Sequence, residues 1–135
     1  METTMKLASV RFVVRDIATM ASFYARITEG EAQFLAPVFA EIVTRGATIA
    51  LGTTQTVALF KEGSAEPAAN RTAIIELQVD DVDATFARVS TFAEAVHEPK
   101  VMPWGNRTAQ VRDPEGNLVS FYTPVTDAAR ARFDR

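Results

Sequence analysis

SVRFVVRD at residues 9–16 and IIELQVDD at residues 74–81 are the two stretches on which the fold turns. Laid over one another at an offset of 65 residues (74 − 9), they set Val10 on Ile75, Phe12 on Leu77, Val14 on Val79 and Asp16 on Asp81. Each alternates with the period of two expected of a strand, and each ends on an aspartate. The pattern then changes. Over 17–28, Ile17, Met20, Phe23, Tyr24 and Ile27 fall three and four apart, which is one buried stripe of a helix. Over 82–92 the same role falls to Val82, Phe86 and Val89. Asp16, and Asp80 or Asp81, are the expected N-caps, because a carboxylate accepts the free amide hydrogens of a first turn.

Working outward, the two leading strands extend near 7–15 and 72–80. Further strands are predicted near 32–36, 38–45 and 47–52 after the first helix, and near 95–101, 107–113 and 118–123 after the second. Asp113–Asn117, DPEGN, reads as a turn: Pro114 presets φ, and Gly116 supplies a positive φ where a side chain would clash. Lys61–Arg71, with Gly63, Ser64, Pro67 and Asn70, reads as a loop between two halves. Thr54–Phe60 is apolar and ambiguous, and a third helical pattern runs over 127–134. The chain is therefore expected to hold two copies of a β-α-β-β-β unit in an α+β fold. Module one spans about 7–60, module two about 72–124, and a tail 125–135, all within a single domain of 135 residues.

The period of two also sorts side chains. Val10, Phe12 and Val14, Ile75, Leu77 and Val79, and Val119 and Phe121 form an apolar face that should pack under helices. The opposite face is mixed. It carries Ser9, Arg11 and Val13, then Ile74, Glu76 and Gln78, then Leu118, Ser120 and Tyr122. Composition alone favours water as its neighbour, since antiparallel sheets are often solvated on one side. The competing reading is a cleft, because ligand sites combine apolar walls with a few placed polar groups.

Composition narrows the function classes. Apolar residues make up 47% and charged residues 23%, as in ordinary globular proteins. A net charge of −3 favours neither nucleic acid nor an anionic membrane as partner. The absence of cysteine removes disulfides, thiolate nucleophiles and cysteine-bound zinc, and it suits a cytoplasmic setting. METTMKLASVRF does not read as a signal peptide, and no stretch approaches the roughly 18 apolar residues of a membrane span.

VRFVVRDIATMASFY at 10–24, IIELQVDDVDATFARV at 74–89 and MPWGNRTAQVRDPEGNLVSFYTP at 102–124 together resemble the vicinal oxygen chelate superfamily. Glyoxalase I, bleomycin resistance proteins and extradiol dioxygenases belong to that group. The resemblance runs from about Val10 to Pro124. It implies two β-α-β-β-β modules that form a curved sheet around a cleft, with helices on the convex face, commonly in a homodimer. It also implies that the mixed face is concave and functional.

Enzymes of that superfamily hold a divalent metal with His and Glu on the first and fourth strands of each module. Carried over one at a time, those positions fall here on Ser9, on Ala50 (or Ala58 if the strand lies later), on Ile74 and on Ser120. None is a metal donor of the needed kind. His97 is the only histidine, and Glu31, Glu41 and Glu94 are scattered. The expectation is a small-molecule binding or sequestration protein with no metal and no cofactor. Its ligand residues would be Arg11, Glu76, Ser120 and Tyr122, then Ser9, Gln78 and Trp104. Tyr122 and Trp104 would stack on a flat ligand; structural packing in its PWG turn is an equal alternative for Trp104. Three further readings stand beside it. Arg11 and Glu76 occupy matching places in the repeat, so they could act on a substrate or form an ion pair bridging the modules, and the ion pair is favoured. The chain could also be a lyase, isomerase or dioxygenase with a relocated metal site, or an accessory domain with a vestigial cleft.

Overall fold

Asp16 and Asp81 each stop a strand and start a helix. The Asp16 carboxylate accepts from the Thr19 amide at 3.0 Å and from the Thr19 hydroxyl at 2.8 Å. The Asp81 carboxylate accepts from the Ala84 amide at 3.1 Å. The computed structural model describes residues 2–133, and the chain divides into two units, Met1–Ala69 and Asn70–Arg135. The division falls within Lys61–Arg71, the Gly- and Pro-containing segment expected to be a loop.

The first unit runs β1 (Ser9–Val13), α1 (Ile17–Thr28), β2 (Gln33–Ala36), β3 (Phe39–Ile42), β4 (Thr48–Gly52) and α2 (Thr54–Ala58). Its sheet has the order β1-β4-β3-β2. β1 and β4 are parallel, and the other neighbours are antiparallel. α1 covers one face. Met20, Phe23, Tyr24 and Ile27 are buried there with Phe12, Ala40, Ile42, Ile49 and Leu51, and Tyr24 stacks on Phe12 at 6.1 Å between ring centroids.

The second unit repeats the plan with β5 (Ile74–Gln78), α3 (Val82–Val89), β6 (Glu94–Val101), β7 (Asn106–Arg112), β8 (Leu118–Pro124) and α4 (Asp127–Phe133). Its sheet order is β5-β8-β7-β6, again with the first and last strands parallel. Val82, Val89, Val111, Val119 and Phe121 are buried. Arg107 donates two 2.9 Å bonds to the Asp83 carboxylate, which ties β7 to α3. Those bonds hold the Asp83 carboxyl below its usual value. The DPEGN turn is stiffened from inside. Asp113 is buried and accepts from the Glu115 and Asn117 amides, both at 2.9 Å, and from the Asn117 side chain at 2.7 Å. Gly116 has φ +87°, as its position in the turn requires.

Three expectations are refined. The leading strands are shorter than 7–15 and 72–80, and α3 ends at Val89 rather than at 92. The ambiguous Thr54–Phe60 contains α2, so each module closes with a short helix after its last strand. α2 has only five residues, too few for helical spacing to show, and two of them are threonines. The last residue of the helix expected over 127–134 lies outside the described residues. Among the described residues no helix is long and apolar enough to cross a membrane.

Candidate functional site

Residues opposite one another on neighbouring strands share a face of the sheet. In the first unit Arg11 lies opposite Ala50, Ala50 opposite Glu41, and Glu41 opposite Gln33. These four make a row across the sheet, on the face away from α1. The row next to it is Val13, Gly52 and Phe39. The methyl group of Ala50 and the lack of a side chain at Gly52 leave space above β4. Arg11 of β1 and Phe39 of β3 meet across that space, with the guanidinium carbon 5.5 Å from the ring centroid. α2 also packs here, since Thr56 stands 2.5 Å from where a Cβ on Gly52 would lie. Thr56 is held by its 2.7 Å bond to the Thr53 carbonyl. The chain leaving α2 then brings Phe60 to Arg11, at 5.4 Å from the guanidinium carbon. An exposed cation over an aromatic face gains about 0.5–1 kcal/mol. The two rings therefore orient Arg11 without accepting its in-plane N–H bonds.

In the second unit the matching row is Glu76, Ser120, Gln110 and His97. Ser120 is only 1% exposed, and its hydroxyl accepts from the Gln110 amide at 2.9 Å. The next row holds Gln78, Tyr122 and Thr108. Tyr122 is half-buried. Burial pushes its phenol above the usual value, the negative charge of Glu76 pushes the same way, and Arg132 of α4 opposes both. Glu76 and Gln78 are exposed. Asn106, at the start of β7, is buried with no partner for its Oδ1 among the described residues.

Of the residues singled out from the sequence, Ser9 and Arg11 lie on the first sheet, and Glu76, Gln78, Ser120 and Tyr122 lie together on the second. Trp104 stands apart from the rows. It is 59% exposed in the turn before β7, where its carbonyl accepts from Arg132 at 2.9 Å. Glu41, Gln110, Phe39 and Phe60 were missed as row or rim residues. Glu41 looked scattered because its place depends on the β3–β4 register, which a single strand does not reveal. Phe60 sat in the segment that could not be assigned. The one available signal was the small pair Ala50 and Gly52, which on a strand marks close approach by other groups.

The glyoxalase/bleomycin resistance protein/dioxygenase superfamily matches residues 6–121. The chain belongs to this superfamily. Among solved structures, a glyoxalase/bleomycin resistance protein/dioxygenase family enzyme from Burkholderia phytofirmans PsJN is similar at TM-score 0.81 and 19% identity. That match covers 90% of this chain and 100% of the other. A glyoxalase/bleomycin resistance protein/dioxygenase from Nocardioides is similar at TM-score 0.76 and 18% identity, covering 94% and 88%. A glyoxalase-related enzyme from Fulvimarina pelagi is similar at TM-score 0.74 and 17% identity, covering 91% and 94%. At these identities the likeness is one of fold. No curated protein matches the chain.

Four positions of this chain correspond to the superfamily's metal ligands. β4 ends at Gly52, so the fourth-strand position is Ala50, and Ala58 lies in α2. Ala50 offers a methyl group. Ile74 offers an alkyl chain. Ser120 offers a hydroxyl already engaged by Gln110, and Ser9 an exposed one. A divalent ion needs several carboxylate, imidazole or thiolate donors within about 2.0–2.6 Å. In the second unit Glu76 and His97 occupy opposite ends of their row, three strand spacings or about 14 Å apart, too far to share an ion. Among the described residues no group of three or more His, Cys, Asp or Glu could hold a metal. The residues present do not fit the superfamily's metal.

Proposed function

We propose that this member of the glyoxalase/bleomycin resistance/dioxygenase superfamily is a metal-independent protein that binds or sequesters a small organic molecule on its polar sheet faces. The observation that carries the reading is the set of residues at the metal positions, Ser9, Ala50, Ile74 and Ser120, which cannot repay the dehydration of a divalent ion. Arg11, Glu76, Gln78 and Tyr122 supply exposed or half-buried polar groups beside apolar walls, the mixture that small-molecule sites use. A homodimer and a cytoplasmic setting belong to the same proposal. Exposed Phe34 and Leu35 on edge strand β2, and Val96 and Val101 on edge strand β6, are compatible with self-association.

The test is metal content by plasma mass spectrometry after incubation with nickel, zinc, manganese and iron(II) and then desalting. The expected result is far below one equivalent of each. Near-stoichiometric uptake of one metal would sink the proposal and direct assays to lyase, isomerase and dioxygenase chemistry. A compound screen that reads thermal shift alongside the fluorescence of Trp104, the only tryptophan, then searches for the ligand.

A further inference from the structure

We infer that Arg11 anchors the carboxylate of an aromatic monocarboxylic acid. The inference rests on the small-molecule reading above and names the ligand class for the first unit. Arg11 is exposed on β1, and its guanidinium carbon lies over the rings of Phe39 and Phe60. Aromatic faces attract the cation, but they do not accept its in-plane N–H bonds. Within the first unit, the described residues place no carboxylate within ion-pair distance of Arg11 and no acceptor on its side-chain N–H groups. A guanidinium oriented this way presents a fork that matches the two oxygens of a carboxylate.

The surroundings choose among anions. Ala50, opposite Arg11, offers no polar group, and of the two rows beside it one is Val13, Gly52 and Phe39 while the other holds Ser9 and Thr48. Phe60, over Arg11, is 76% exposed. The body of a ligand held by Arg11 therefore meets an apolar, partly aromatic wall, which favours a flat hydrocarbon ring. Glu41 lies one strand beyond Ala50 in the same row. Its carboxylate disfavours a second negative charge on the ligand, so a monoanion is preferred to a dicarboxylate or a phosphate.

The experiment is a titration of the full chain at neutral pH with benzoate, benzamide and phthalate, following the Arg11 Nε–H signal by NMR. Benzoate should bind about tenfold or more tightly than benzamide, from the charge-assisted pair, and more tightly than phthalate. Arg11→Gln should remove the preference. Arg11→Lys should restore part of it, since an ammonium keeps the charge without the fork. Phe60→Ala should weaken benzoate while leaving the melting temperature unchanged, because the ring is exposed. Equal binding of benzamide, or benzoate affinity unchanged in Arg11→Gln, would overturn the anion site and leave the small-molecule reading standing. Saturable binding of none of the three would overturn it as well. The broader reading would then be judged by the screen of uncharged and cationic compounds.

Discussion

The two units have the same strand order and corresponding register between their leading and last strands, yet they use the face away from the first helix in opposite ways. In the first unit the last strand presents Thr48, Ala50 and Gly52 on that face, and in the second it presents Leu118, Ser120 and Tyr122. Where β4 is small, neighbours fill the space: Arg11, Phe39 and Phe60 gather over it. Where β8 is larger, it fills the space itself, with Ser120 buried and Tyr122 half-buried. The leading strands invert charge as well, Arg11 against Glu76. The helix-side positions show no such contrast. Phe12 matches Leu77, and Leu51 matches Phe121, all apolar. The fold constrains the face that must be buried and leaves the other free to carry chemistry.

The largest effects test the shared half of this comparison. Phe121→Ala should cost about 3–5 kcal/mol and Leu51→Ala about 2–5 kcal/mol, because both side chains are fully buried and leave cavities. Chemical denaturation checks this, and a near-neutral result at either position would break the structural equivalence.

The hairpins before the last strands should separate next. Asp113→Ala strands buried amide donors and should cost about 2–3 kcal/mol. Thr44→Ala, which removes the side-chain bridge to Ala47 in the first unit, should cost about 1 kcal/mol. Comparable losses would show that the two turns are equally rigid.

Gly52→Ala sharpens the contrast in side-chain size. The new methyl meets Thr56, so about 1–3 kcal/mol should be lost to overpacking, and the Arg11 Nε–H signal should move as α2 and Phe60 shift. Gly46→Ala, with open space around its Cβ, should stay within about 0.5 kcal/mol of the wild type.

The smallest expected effect is a titration. Burial and then Glu76 raise the Tyr122 phenol above its usual value, so Glu76→Gln should lower it only in part, as read from the tyrosine ring signals by NMR. The folded state holds its phenolic proton more tightly than the unfolded state. That contribution is complete below about pH 10 and is lost as pH rises through the folded value.

Much was legible before any tertiary structure. The 65-residue offset, the two capping aspartates, the DPEGN turn and the apolar face follow from local rules of periodicity, capping and turn chemistry. Those rules act over a few residues, so a single sequence carries them. The superfamily and the lack of donors at its metal positions were readable too, because each depends on residue identity at a place a motif marks. What only the tertiary structure decided was adjacency. Whether Glu41 joins the Arg11 row depends on the pairing of β3 with β4, and Ser120 is closed off by Gln110, ten residues away on β7. Phe60 reaches Arg11 only because α2 turns the chain back beside Gly52. A strand's own pattern says which face a side chain takes, while register and the space left by small neighbours determine what it meets there.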